Sequence, residues 1–186
     1  MAGIVGNKDE LKQYLISWRD TMKNELVTHI FPPAFDKDSR VLILGTIPSP
    51  KSREVGYYYS HPQNKFWRVM ADLFDEPVPQ SVADKENFLR RNRIALWDVL
   101  RSCLIKGADD GSIREAEPND MNEILRNADI RAIFTTGTKA AQLYKRHCLP
   151  QTHREAIALP STSPANCRFY TYEQIKEAYR VILDYL

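Results

Sequence analysis

Cysteine is scarce in this chain: three occur in 186 residues, Cys103, Cys148 and Cys167, and no two form a Cys-x-x-Cys pair. A four-cysteine iron–sulfur cluster cannot be built from three thiols of one chain. A zinc site would have to recruit several of the four scattered histidines. No metal and no cofactor are therefore expected, and the cysteines read as reduced, mostly buried thiols. Long apolar runs are missing too. No stretch approaches the roughly 18 residues that a membrane helix needs, so no membrane partner is expected. The leading segment MAGIVGNKDELKQ lacks the apolar centre of a secretory signal, and the expected location is intracellular, in the cytoplasm. Glycine numbers only 7, and neither GxGxxG nor GxxxxGK[ST] occurs, which argues against the common nucleotide-phosphate cradles. Finally, no charge of one sign dominates: 26 Lys and Arg face 24 Asp and Glu, for a net charge of +2. Such a balance does not announce a nucleic-acid binder, but it does not exclude one, because a local basic rim around a cleft suffices.

What is present is ordinary for a globular enzyme: 43% hydrophobic and 27% charged residues, in a length suited to one domain with a substantial core. Lys8 to Thr28 reads as an amphipathic helix, with Leu11, Tyr14, Leu15, Trp18, Met22 and Leu26 at helical spacing. The Phe31-Pro32-Pro33 segment ends it. The division is thus a helical extension over residues 1–30 and a single α/β domain over 31–186, expected to be monomeric. Four short runs that are apolar throughout, Val41 to Leu44, Ile94 to Trp97, Ile130 to Thr135 and Ala156 to Leu159, read as strands covered on both faces. Helical patterns at Phe66 to Phe74, Lys85 to Arg91, Met121 to Asn127, Lys139 to His147 and Tyr172 to Tyr185 accompany them. The fold class is α/β: a three-layer α/β/α arrangement around a central four-stranded, mostly parallel sheet.

Each strand exits into small and polar residues. Gly45-Thr46-Ile47-Pro48-Ser49 follows the first, Asp98 the second, Thr136-Gly137-Thr138-Lys139 the third, and Pro160-Ser161-Thr162-Ser163-Pro164-Ala165-Asn166 the fourth. Ligands of open parallel sheets bind at the carboxyl ends of the strands, so these exits predict one polar rim. The segment from Gly45 to Trp67 adds Tyr57, Tyr58 and Tyr59, then His61-Pro62-Gln63-Asn64, then Phe66-Trp67. Aromatic faces stack on bases, though Phe66 and Trp67 at a helix start read better as core. Ser49, Lys51, Ser52 and Arg53, and later Ser161, Thr162, Ser163 and Asn166, suit phosphate contacts. The plainer reading of the serine–proline loop is a capped turn before the last helix. Asp98 reads as structural, bonding a neighbouring loop, and the Pro118-to-Met121 stretch as a helix start capped by Asn119 or Asp120.

These segments carry a resemblance. GTIPSPKS, YYSHPQNKFW, ALWDVLRSC and LPSTSPAN, set in a four-strand α/β/α frame, resemble the uracil-DNA glycosylase superfamily, and within it the hypoxanthine branch, from Phe31 to Leu186. The resemblance implies a monofunctional glycosylase that hydrolyses the N-glycosidic bond of a deaminated base, hypoxanthine first and uracil as a second candidate, in base-excision repair of DNA. Many superfamily members place Asn or Asp in the first loop to assist the attacking water; Ile47 stands there in this chain. The resemblance moves that duty to Asn64. It assigns Gly45, Thr46, Ile47, Pro48, Ser49, Tyr58 and Tyr59 to the base and Lys51, Ser52, Ser161, Thr162, Ser163 and Asn166 to DNA phosphates. His61 would donate to the leaving base, touch phosphate, or simply cap its turn. Two other readings stand beside this one: a non-catalytic nucleic-acid-binding module, kept open by Ile47, and a small nucleoside or nucleotide hydrolase.

Overall fold

The computed structural model describes residues 24–166 and 169–186. Its centre is a four-stranded, fully parallel sheet in the order β3-β2-β6-β7, formed by β2 (Val41–Gly45), β3 (Ile94–Asp98), β6 (Ala132–Thr136) and β7 (Ala156–Leu159). All five residues of β2, of β3 and of β6 are buried. Burial on both faces is what leaves such strands without polar alternation. Around them lie α1 (Pro50–Val55), α2 (Phe66–Phe74), α3 (Val82–Arg91), α4 (Asn122–Leu125), α5 (Thr138–Leu143), α6 (Leu149–Thr152) and α7 (Tyr172–Tyr179). Helix α2 buries Phe66, Trp67, Val69, Met70 and Ala71. Capping boxes open α3 at Ser81 and α7 at Thr171, satisfying backbone donors that a helix start leaves orphaned.

The structure corrects several expectations. Helix α5 widens into one π-turn over Tyr144–Cys148, and α7 tightens into a 3₁₀ stretch over Arg180–Tyr185. The segment Glu25–Thr28 is a strand, β1, not the end of a helix. Val27 is buried there while Leu26 is exposed, an alternation of period two. The rest of the expected helix, and Cys167 and Arg168, lie outside the described residues. β1 belongs to a second sheet absent from the sequence reading, antiparallel in the order β1-β4-β5, with β4 (Leu100–Lys106) and β5 (Asp109–Pro118) forming a hairpin. Asn119, expected as a helix cap, instead sends its amide to the carbonyls of Asp98 and Leu100 at 2.9 and 3.1 Å and so ties β3 to β4. Asp120 accepts the Asn122 amide at 3.0 Å, as a residue at a helix start should. Cys103 and Cys148 are buried and unbridged, and burial pushes their thiols up to about 11 and about 12.

Candidate active site

The carboxyl ends of all four parallel strands open on one cavity of about 320 Å³, a volume at the lower end of small-ligand sites. β2 supplies its floor and one wall through Gly45, Thr46, Ile47, Pro48 and Ser49, β3 supplies Asp98, and β6 supplies Thr136. The loop after β7 supplies Ser161, Thr162 and Ser163, and the His-Pro-Gln-Asn turn supplies His61 and Asn64. The two loops are joined directly: the Lys65 amide donates to the Thr162 carbonyl at 3.0 Å. A bond between segments 97 residues apart holds the Asn64 turn beside the serine–proline loop.

Asn64 is held at both ends. Its backbone amide donates to the His61 carbonyl at 2.8 Å, and its Oδ1 accepts the Phe66 amide at 2.9 Å. With one Oδ1 lone pair committed to the start of α2, the side chain keeps the other lone pair and its Nδ2 hydrogens to offer. His61 Nδ1 accepts the Gln63 amide at 3.2 Å, so the ring caps its own turn and, when neutral, carries its proton on Nε2. The capping role foreseen for His61 is thus filled, and Nε2–H is its remaining donor.

The three tyrosines divide. Tyr57 is buried in the core with its ring against Trp67. Tyr58 lines the cavity but is only 3% exposed, donates to the Pro32 carbonyl at 2.8 Å and packs edge-on against Phe31. Tyr59 stacks one face on Phe66 at 3.9 Å and meets Thr136 Oγ1 at 3.2 Å through its hydroxyl. Its φ of 50° is unusual for a residue with a side chain, and such strain gathers where neighbours over-determine a site. Burial raises the pKa of Tyr58 and of Tyr59, which keeps both phenols protonated.

The residues expected on phosphate fare unequally. Ser52, buried, is knitted into the first loop: Ser49 Oγ accepts its amide at 3.2 Å and its own Oγ accepts the Ser60 amide at 3.2 Å. Ser161 and Ser163 bond each other at 3.1 Å, while Asn166 donates to the Ser161 carbonyl at 3.2 Å and does not line the cavity. Lys51 is also off the cavity and pairs with Glu54 at 2.7 Å, and Arg53 pairs with Glu25 at 2.7 Å. Of the three cations of the expected basic rim, Lys51 and Arg53 are therefore already partnered, and Arg168 lies outside the described residues.

Three contributors, Phe31, His29 and Asp110, were not read as site residues in the sequence, and Asp98, read as bonding a loop, finds its partner here. Phe31, read as a helix stop, borders the cavity. His29 donates or accepts through Nε2 to Asp98 Oδ2 at 2.9 Å, with side-chain exposures of 3% and 8%. Asp98 explains Gly45: a Cβ there would stand 2.2 Å from Asp98 Oδ1, so only glycine lets the carboxyl lie across the strand end. The last is Asp110 of the β4–β5 hairpin, whose Oδ2 accepts the Thr46 hydroxyl at 3.1 Å.

Comparison with known sequences decides the family. The profile of the "Uracil DNA glycosylase superfamily" matches residues 32–186. The chain belongs to that superfamily. Among relatives of this superfamily member, a "Hypoxanthine DNA glycosylase" of Methanosarcina acetivorans is 34% identical over 141 residues, 75% of this chain and 88% of the relative. Another of the same name, from Methanosarcina barkeri, is 32% identical over 74% of this chain and 87% of the relative. A solution NMR structure from M. acetivorans, described as a candidate uracil DNA glycosylase, superposes with a TM-score of 0.72 at 31% identity, covering 86% of this chain and 99% of that one. The superfamily match begins at residue 32, three residues beyond His29.

Asp110 is exposed as a residue, yet burial of its carboxyl end raises its pKa, with Asp98 and Asp109 adding to the rise and Thr46 and Lys139 opposing it. A carboxyl whose folded pKa lies above its unfolded value binds its proton more tightly in the native state. It therefore lowers stability wherever it is ionised, and that penalty fades as pH falls through the raised value. Asp110→Asn is expected to raise the melting temperature at neutral pH and to lose that advantage in acid; equal shifts at both pH values in thermal scans would contradict the buried carboxylate. Groups kept against stability are commonly kept for function.

Proposed function

We propose that this protein is a monofunctional DNA glycosylase that hydrolyses the N-glycosidic bond of a deaminated base, hypoxanthine first, after that nucleotide has been flipped out of DNA. The observation that carries the reading is the Lys65–Thr162 hydrogen bond, because it sets the Asn64 turn and the serine–proline loop on one cavity. The names of the two Methanosarcina relatives support hypoxanthine as the base.

The chemistry follows from the site. A base inside a duplex is out of reach, and flipping it costs a few kcal/mol. Phe31 and Tyr59 offer the aromatic surface against which an extruded base rests. The loop Gly45 to Ser49 lies along its edge, and Ser161, Thr162 and Ser163 face the flanking phosphates. Breaking C1′–N9 sends the electron pair to the base and positive charge to the sugar. The base departs as an anion, which His61 Nε2–H, placed in the lining, stabilises by donating a hydrogen bond. Water oxygen bonds to C1′, and the proton that water sheds passes through solvent to the departed base. Asn64 is an amide and no strong base. It works by orienting that water through Nδ2–H, which is enough when the bond to the base is largely broken before water arrives. On this reading the protein acts as a monomer inside the cell.

Duplexes carrying one hypoxanthine, uracil, xanthine or thymine mismatch, incubated with the protein and then heated in alkali, test this. Strand breaks at hypoxanthine are the expected result. Tight binding without breaks on every lesion would replace the enzyme with a binding module, and neither binding nor breaks would sink the reading.

A further inference from the structure

Two carboxylates border the cavity, Asp98 and Asp110, and their oxygens are used differently. Asp98 Oδ2 is bonded to His29, and its Oδ1 lies against the Gly45 backbone, 2.2 Å from where a Cβ would stand. Asp110 gives Oδ2 to the Thr46 hydroxyl at 3.1 Å, and its Oδ1 has no hydrogen-bond partner among the described residues. The residue sits just past the turn of the β4–β5 hairpin, whose Ile105, Gly107 and Ala108 also line the cavity. Gly107 turns there with φ of 54°, which lets the hairpin bend over the pocket. A free acceptor thus hangs over a cavity whose other carboxylate, Asp98, is already engaged by His29.

Deamination changes a base in a way such an acceptor reads. When the 6-amino group of adenine is replaced by oxygen, ring nitrogen N1 turns from a lone-pair acceptor into an N–H donor. The same exchange turns cytosine N3 into the N3–H of uracil. Every lactam base formed this way gains a ring N–H where its amino parent shows a lone pair. A carboxylate oxygen accepts from the first and repels the second. Sites that bond a specific substrate hydrogen reject analogues lacking it far more strongly than apolar pockets reject shape changes.

Resting on the glycosylase reading, we infer that Asp110 is a specificity-determining residue that accepts the ring N–H of a lactam base and thereby separates hypoxanthine from adenine. Thr46 holds the carboxylate in place from the loop at the end of β2, leaving Oδ1 directed to the base edge. The substrate class is accordingly the deaminated, lactam-form bases rather than any one of them. Guanine carries the same N1–H, so its exclusion falls to groups facing its 2-amino substituent.

The test compares wild type, Asp110→Asn and Asp110→Ser in single-turnover excision from duplexes with one hypoxanthine or one unpaired adenine, with circular-dichroism melting to establish folding. Losing a charged acceptor is expected to slow hypoxanthine release by about 10- to 100-fold. Asp110→Asn, whose amide can donate to adenine N1, is expected to narrow the hypoxanthine-to-adenine ratio by at least about tenfold. Folded variants with an unchanged ratio overturn the role of Asp110 while wild-type cleavage at hypoxanthine leaves the glycosylase intact. A wild type inert on hypoxanthine overturns the activity itself. Should both variants unfold, competition on the wild type decides: free hypoxanthine should inhibit and 1-methylhypoxanthine, lacking the N–H, should not. Equal inhibition by the two rejects the inference.

Discussion

Replacing Asn64 with alanine is expected to slow base release by about a hundredfold while leaving DNA affinity within about twofold of wild type. The separation of the two quantities is the point. Asn64 borders the cavity but its own contacts are local: Oδ1 to the Phe66 amide and its backbone to His61. Nothing in that pattern grips DNA. What alanine removes from the reaction is the Nδ2–H that sets a water, and what it removes from the fold is one cap, worth about 1 kcal/mol, or about 2–4 °C in melting temperature. A purely structural role would show only that small thermal change. Asn64→Asp sharpens the comparison, since it keeps an acceptor for the Phe66 amide and offers water a carboxylate. It should melt close to wild type and release base faster than Asn64→Ala. Single-turnover rates and fluorescence-anisotropy titrations on the same hypoxanthine duplex read both terms. Wild-type rates in the alanine variant, or a loss of affinity that matches the loss of rate, would remove Asn64 from the mechanism.

The second large effect is on stability. His29→Ala is expected to destabilise the protein by about 3–5 kcal/mol, or roughly 10 °C in melting temperature. The reason is what stays behind. Asp98 is nearly closed off from water and His29 Nε2, at 2.9 Å, is its side-chain partner. Removing the imidazole leaves a buried carboxylate unpaired, which is worse than losing a surface contact. The imidazole also packs against Phe31 at 4.6 Å and Tyr58 at 5.9 Å between ring centres, so alanine opens a hole beside the cavity. His29→Gln restores a donor of similar reach and should recover most of the loss, whereas His29→Phe fills the space without the bond and should not. If the alanine variant melts within about 2 °C of wild type, the pair has no such weight. A loss of the expected size would show that a residue lying ahead of the superfamily match holds a carboxyl of the site in place.

The same physics explains what was readable beforehand. The four parallel strands were legible because burial on both faces leaves uninterrupted apolar runs, and all of them fell within two residues of expectation at each end. The second sheet was not. β4 and β5 are partly exposed, β4 burying Leu100, Ser102, Cys103 and Ile105 and β5 only Ile113, and their register shifts at three places. Bulges break the simple alternation that marks an amphipathic strand. β1 misled for another reason: Leu26 continued the helical spacing of Met22 in the sequence, yet the structure leaves Leu26 70% exposed and buries Val27. At the site, Gly45 to Ser49, His61, Asn64 and Ser161 to Ser163 were legible because they are contiguous with strand exits or a compact motif. Asp98 was read as bonding a neighbouring loop; its partner, 69 residues away, was not. Phe31 and Asp110 passed unnoticed, one as a helix stop and one as part of an unrecognised hairpin.

By itself the sequence determined the layered α/β class, the polar rim at the strand ends and the segments that compose it, since hydrophobic periodicity and turn chemistry are local properties that neighbouring residues express together. Only the tertiary structure decided which oxygen of which carboxylate is free, that His29 holds Asp98, and that a hairpin carrying Asp110 overhangs the pocket. Those are contacts between segments far apart in the chain, and a hydrogen bond across 64 or 69 residues leaves no periodic trace in the order of the amino acids.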